Sequence, residues 1–150
     1  MECPIDKDNL TLSLLFMMYL KSQNSYYGAY LKDHKLSVQS VPIFLKLLNH
    51  GYVYQKDISK HLQIDNGQLT RVLRKLEDNG YIKRTEDDDN RRQNKISLTP
   101  KGEEIAMDLR DEGVKREKEI LKNSQITREE MIDFTLRLLE NSQKYNQENI

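Results

Sequence analysis

The side chains with the clearest chemical potential in this chain are donors gathered over ten positions. Asn66, Gln68, Thr70, Arg71, Arg74 and Lys75 alternate with Leu69, Val72, Leu73 and Leu76. That spacing puts the four apolar residues on one side of a helix and the donors on the other. Guanidinium, ammonium and amide groups so arranged can reach base edges and phosphates when the helix lies in the major groove of duplex DNA. Asp65 is placed to cap the helix, with Gln68 able to reach back as in a capping box, and Gly80 to end it as a left-handed cap. A plain amphipathic helix with a solvated basic face has the same pattern, so a second element has to decide between the two.

That element follows directly. Residues 81–85 and 95–98 are β-prone, and Ile82 matches Ile96 and Leu98 as core-facing positions. Between them lies a polar loop holding Arg91 and Arg92. A hairpin behind a helix-turn-helix makes a wing, and arginine at its tip can enter the narrow minor groove. The adjacent Asp87, Asp88 and Asp89 oppose phosphate attraction unless they hold the guanidinium groups in a fixed outward fork. A self-neutralised turn with no partner is the competing account.

Other chemistry finds little to work with. His34, His50 and His61 are scattered without metal-ligand spacing. No glycine-rich phosphate loop, G-x-S-x-G turn or H-E-x-x-H motif occurs, and three adjacent carboxylates lack the alternation of a calcium loop. No catalysis, cofactor or metal is expected. Cys3 cannot form an internal bridge and fits a reducing compartment. The apolar run over residues 10–20 is too short to span a bilayer and is broken by Thr11 and Ser13. With no basic region before it and no cleavage site after it, a signal peptide is not expected either. A cytoplasmic protein without membrane contact is the expectation.

The elements that must position the donors can be read outward from them. The chain has 150 residues, 37% apolar and 32% charged, with 24 basic and 24 acidic side chains. Zero net charge counts against nucleic-acid binding in bulk, but phosphate attraction acts locally, within a Debye length of about 8–10 Å. A first helix is expected from about Asp8 to Leu31. A second begins at the N-cap Ser37 and stops at Gly51, with Pro42 about one turn in. Residues 52–54 suit a small strand, and Gln55–Leu62 suits a short helix with Ile58 and Leu62 on one face. A three- or four-residue turn then leads to the donor-bearing helix, which is the spacing of a helix-turn-helix. Thr99 and Pro100 open a long helix to about Asn123, with Gly113 in its charged middle. Thr127 and Glu130 form a capping box, with Ile126 and Met131 as its hydrophobic staple. The last helix presents Met131, Phe134, Leu138 and Leu139, and a polar tail follows Asn141. That stripe and the all-round apolar residues 14–20 need cover that a second copy of the chain would supply.

On these residues the chain resembles the MarR family of bacterial and archaeal regulators. The resemblance runs ungapped over residues 36–102. It includes Gln55-Lys56-Asp57-Ile58, Asp65 to Arg71, Leu76-Glu77-Asp78-Asn79-Gly80-Tyr81-Ile82, Asn90-Arg91-Arg92 and Ile96-Ser97-Leu98-Thr99-Pro100-Lys101-Gly102. It implies a mainly α fold with a small β-hairpin wing, a winged helix-turn-helix flanked by N- and C-terminal dimerisation helices. The expected organisation is an N-terminal dimerisation helix over 1–36, a DNA-binding domain over 37–102 and C-terminal dimerisation helices over 103–150. The implied function is that of a sequence-specific double-stranded DNA-binding regulator, a repressor, acting as a homodimer on a near-palindromic operator. The DNA-binding set becomes Gln55, Lys56, Asn66, Gln68, Thr70, Arg71, Arg74, Lys75, Arg91 and Arg92.

Relatives often respond to small aromatic acids, and Tyr26, Tyr27 and Tyr30 are the residues that would line such an effector pocket; clustered tyrosines serve ordinary core packing equally well. Two positions depart from the family pattern. Asn90 stands where an Asp usually precedes the wing arginine, leaving Asp89 or Asp87 to substitute. Tyr54 stands where Ser or Thr usually caps the first helix of the motif, which weakens that cap by about 1 kcal/mol. The alternative from another class is a winged-helix protein–protein interaction module without DNA binding. A docking face of that kind would show more exposed apolar area and fewer arginines.

Overall fold

The computed structural model describes residues 10–87 and 93–150. It divides into two compact units, residues 1–106 and 107–150, with the division inside one long helix. Arg91 and Arg92 of the wing, and Cys3, lie outside the described residues.

In the first unit, helix α1 (Leu12–Asp33) starts four residues later than the periodicity predicts, because Thr11 caps it: its hydroxyl accepts from the Leu14 amide at 3.2 Å. A single 3-10 turn, Val38–Ser40, precedes α2 (Val41–His50). Ser37 occupies the expected cap position, but its side chain makes no cap hydrogen bond and the α-helix proper begins later. Pro42 therefore falls in the first turn of α2 rather than inside the helix. Its missing N–H is one of the groups a helix start leaves unpaired in any case, so it breaks nothing.

Strand β1 (Tyr52–Tyr54), helix α3 (Gln55–Leu62) and helix α4 (Asn66–Asp78) follow, then strands β2 (Ile82–Glu86) and β3 (Asn94–Leu98). The strands form one antiparallel sheet in the order β1-β3-β2. Its inner face supplies Val53, Ile82, Ile96 and Leu98 to a core shared with Leu31, Ile43, Phe44, Leu47, Ile58, Leu69, Leu73 and Leu76. Phe44 meets Tyr81 edge to face at 5.8 Å, and the Tyr81 hydroxyl donates to the His34 carbonyl. The fold is the mainly helical winged helix expected, with β1 as the third strand of its sheet.

The hinge between α4 and the wing explains the run Gly80-Tyr81 and the later Leu98-Thr99-Pro100-Lys101-Gly102. Gly80 has φ +74°, the Tyr81 amide donates back to Leu76 and the Gly80 amide to Glu77. This pairing satisfies the last carbonyls of α4 and turns the chain into β2. Helix α5 (Pro100–Leu121) opens against the same turn. The Thr99 hydroxyl donates to the Gly80 carbonyl at 2.6 Å and accepts from the Gly102 amide at 3.1 Å. A Cβ at Gly102 would lie 2.0 Å from the Tyr81 carbonyl oxygen, so only glycine permits the helix to start so close.

The second unit contains the rest of α5, which continues through Gly113 without a break, and α6 (Arg128–Asn149). The capping box of Thr127 and Glu130 forms with both reciprocal bonds. Thr127 donates its amide and its hydroxyl to the Glu130 carboxylate, which holds that carboxyl below the ordinary glutamate range. Arg128 pairs with Glu117. The polar tail after Asn141 is helical to Asn149: its side chains bond along the helix, as Asn149 does to the Tyr145 carbonyl, and Lys144 pairs with Glu148 at 4.0 Å. Among the described residues no helix is long and apolar enough to cross a membrane.

Candidate nucleic-acid interface

Helix α4 forms because its cap, stripe and stop agree. One Asp65 carboxylate oxygen accepts from the amides of Gly67 and Gln68 at 2.9 and 3.0 Å. The cap is one-sided, carried by Asp65 without the return bond from Gln68 that a full box would have. Leu69 and Leu73 are fully buried and Leu76 nearly so, each contributing about 1.5–3 kcal/mol on burial. With that side pinned, Asn66, Gln68, Thr70, Arg71, Arg74 and Lys75 all face solvent. Arg71, Arg74 and Lys75 have no carboxylate partner among the described residues. Unneutralised cations on a rigid exposed helix are what a phosphate-lined groove attracts.

Helix α3 is held across α4 by a turn of three residues, Gln63 taking the left-handed φ of +51° and the Ser59 hydroxyl donating to the Ile64 carbonyl. Gln55 and Thr70, both expected to contact DNA, are brought onto each other. The Gln55 amide donates to the Thr70 hydroxyl at 2.9 Å, and that hydroxyl donates to the Asn66 carbonyl at 2.8 Å. Lys56 is exposed, with its ammonium 5.8 Å from the Tyr54 ring centroid. Between the first turn of α3 and the wing lies a cleft of about 330 Å³ whose lining includes Gln55, Lys56, Arg84 and Asn94.

Two sets of contacts at this site were not anticipated from the sequence. Arg84 of β2 pairs with Glu77 of α4 at 3.0 Å and donates to the Gln55 side-chain oxygen Oε1 at 3.5 Å, tying the wing strand to both helices of the motif. Asp87, the residue after β2, is buried and pairs with Lys95 of β3 at 3.0 Å. The Tyr54 hydroxyl donates to the same carboxylate. That bond raises the Tyr54 pKa above its ordinary value, and the Asp87 contact raises that of Lys95 likewise. Tyr54 gives α3 no side-chain cap, as its departure from the family pattern implies; its hydroxyl is committed to the wing instead. Tyr26 and Tyr27 meet edge to face at 5.6 Å on α1, and Tyr30 lies 5.1 Å from His34.

The comparisons agree with this geometry. A sequence model of the MarR family matches residues 36–93. The HTH-type transcriptional regulator SarZ of Staphylococcus saprophyticus is 30% identical over 148 residues, covering 97% of this chain and 99% of that protein. The chain belongs to the MarR family. A solved structure of MarR superposes with a TM-score of 0.80 at 25% identity, over 96% of this chain and 98% of that one. The Staphylococcus aureus MepR–DNA complex has the same fold, with a TM-score of 0.72 at 23% identity over 91% of this chain and 99% of that one. As a MarR-family member this protein is a transcription regulator and not an enzyme.

Proposed function

We propose that this regulator binds double-stranded DNA sequence-specifically as a homodimer and acts as a repressor in the cytoplasm. One observation carries the reading: the six donor side chains of α4 are exposed together while the leucines behind them are locked in the core. Asn66, Gln68 and Arg71 lie nearest the helix start, where base edges are read, and Arg74 and Lys75 lie one turn on, suited to phosphates. Lys56 adds a cation at the start of α3, and Gln55 and Thr70 brace the two helices. Arg91 and Arg92 are assigned to the minor groove. The solved complex of MepR with DNA is a precedent in the same fold.

The homodimer reading rests on the apolar residues that α1 and α6 leave in solvent, among them Leu12, Met17, Leu20, Phe134, Leu136 and Leu139. A folded chain keeps large apolar patches for partners. A small aromatic effector held against Tyr26, Tyr27 and Tyr30 completes the reading, supported by the mixed exposure of these rings along α1.

Selecting binding sites from random duplexes with purified protein tests the central claim. Two inverted half-sites about 10 bp apart are expected, mirroring a two-fold dimer. Enrichment of a lone asymmetric half-site would remove the dimer, and no enrichment would remove sequence-specific binding. Placed over a promoter in cell-free transcription, the selected site should lower transcript yield; a rise would make the protein an activator.

A further inference from the structure

Asp87 is the only charged side chain buried to below a tenth of its surface among the described residues, at 3% exposure. Two of its partners, Lys95 and Tyr54, come from the neighbouring strands. The sheet register explains how its partners reach it. Lys95 sits opposite Tyr54 on one side and opposite Thr85 on the other. Side chains two apart along a strand share a face, so Asp87 falls on the same face as Thr85, diagonal to Lys95. Strand β1 supplies Tyr54, β3 supplies Lys95, and Asp87 is the residue that follows β2. Tyr52 shares that face, its ring centroid 5.1 Å from the Lys95 ammonium.

A buried ion pair adds little net stability, since desolvation offsets the Coulomb attraction, but it penalises any geometry that separates the partners. The geometry at stake here is the path of β2 as it leaves the sheet. Tyr54 is also the residue immediately before α3, so the clamp connects the wing to the first helix of the motif. The inner face of the sheet makes a parallel connection through Arg84, Glu77 and Gln55.

We propose that Tyr54 and Lys95 are positioning residues for the wing: by clamping Asp87 from two neighbouring strands they set the angle between the hairpin and the helix-turn-helix, without themselves touching DNA. The consequence for DNA affinity rests on the function proposed above; the clamp itself does not.

Amide hydrogen exchange of the free protein separates the two. Tyr54→Phe removes one hydroxyl and keeps the ring, so folding is preserved. Exchange at Glu86 and Asn94, the last pair of the β2–β3 ladder, should rise about tenfold, the scale of one lost hydrogen bond to a charged group, while Leu73 and Leu76 in α4 stay protected. Lys95→Met should do the same, and Lys95→Arg should restore most of the protection. On a duplex selected by the wild type, Tyr54→Phe should weaken binding about tenfold. Unchanged exchange in both Tyr54→Phe and Lys95→Met overturns the clamp. Faster exchange with unchanged affinity overturns its role in DNA placement. If the wild type selects no duplex while exchange responds as stated, the clamp stands and the DNA reading falls.

Discussion

Helices α4 and α6 are built from similar material and end up in opposite conditions. Helix α4 has 13 residues and buries three leucines; α6 has 22 residues and buries none. Leu69 and Leu73 of α4 are wholly excluded from solvent, whereas Phe134, Leu136 and Leu139 of α6 each expose about half their surface. Both helices have a side-chain cap, but α4 gathers its leucines into one sharp stripe while α6 spreads its apolar residues over more of its circumference. The difference is that the described residues fully cover the leucines of α4 and leave Leu136 and Leu139 of α6 about half in solvent. A helix that exposes a function-bearing face must be held rigidly from behind, and α4 is. A helix that leaves its apolar residues half exposed has surface to spare for another partner, and in the homodimer proposed above that partner would be a second copy of the same chain.

The comparison breaks most visibly at α6. Phe134→Asp combined with Leu139→Asp should weaken self-association at least about a hundredfold, the loss of two buried anchors, while the winged unit keeps its thermal unfolding transition. Sedimentation velocity reads this directly, and a variant that keeps the dimer mass would show that α6 is not the partner face. Next in size, Gly102→Ala should destabilise the winged unit by about 3 kcal/mol in urea unfolding, because the new methyl meets the Tyr81 carbonyl. Retained stability would mean that the α4–wing hinge tolerates what its geometry forbids.

Arg71→Ala should leave stability unchanged and weaken binding to a selected duplex by about 1–3 kcal/mol, with relaxed preference at one base pair. An equal loss on every sequence would make Arg71 a phosphate contact. The smallest effect concerns the start of α6. The Glu130 carboxyl is held below the ordinary glutamate value by the Thr127 amide first and its hydroxyl second. Its contribution is therefore complete above the unfolded pKa, about 4.3, and is lost as pH falls through the lower folded value. Far-UV circular dichroism should show wild type more helical than Glu130→Ala at neutral pH, with the gap closing on acidification. A gap that persists in acid would show that the charged form of Glu130 is not what supports the turn.

What could be read in advance follows the range of the interactions. The bounds of α3, the Asp65 cap, the Gly80 stop and the Thr127–Glu130 box all depend on residues within five positions of one another, and the Thr99-Pro100 start is signalled by two adjacent residues even though it docks on Gly80. Each was legible. The start of α2 was misjudged because a 3-10 turn and an α-turn use the same residue types, and only the backbone shows which one Ser37 begins. The Asp87–Lys95–Tyr54 clamp spans 33 positions between Tyr54 and Asp87. The sequence offered Asp87 as one of two candidates to pair with a wing arginine and gave no sign of Lys95 or Tyr54.

Taken alone, the order of residues determined which segments are helical, where α4, α5 and α6 begin, and that one helix carries donors opposite leucines. Those properties arise from dihedral preferences and side chains one turn apart, which exist before the chain is compact. Only the folded arrangement decided that Gln55 and Thr70 brace each other, that Arg84 joins β2 to both helices of the motif, and that Asp87 is buried against Lys95 and Tyr54. The first requires the turn that sets α3 across α4; the others require a register among the strands, and register is set when the inner face of the sheet chooses the core.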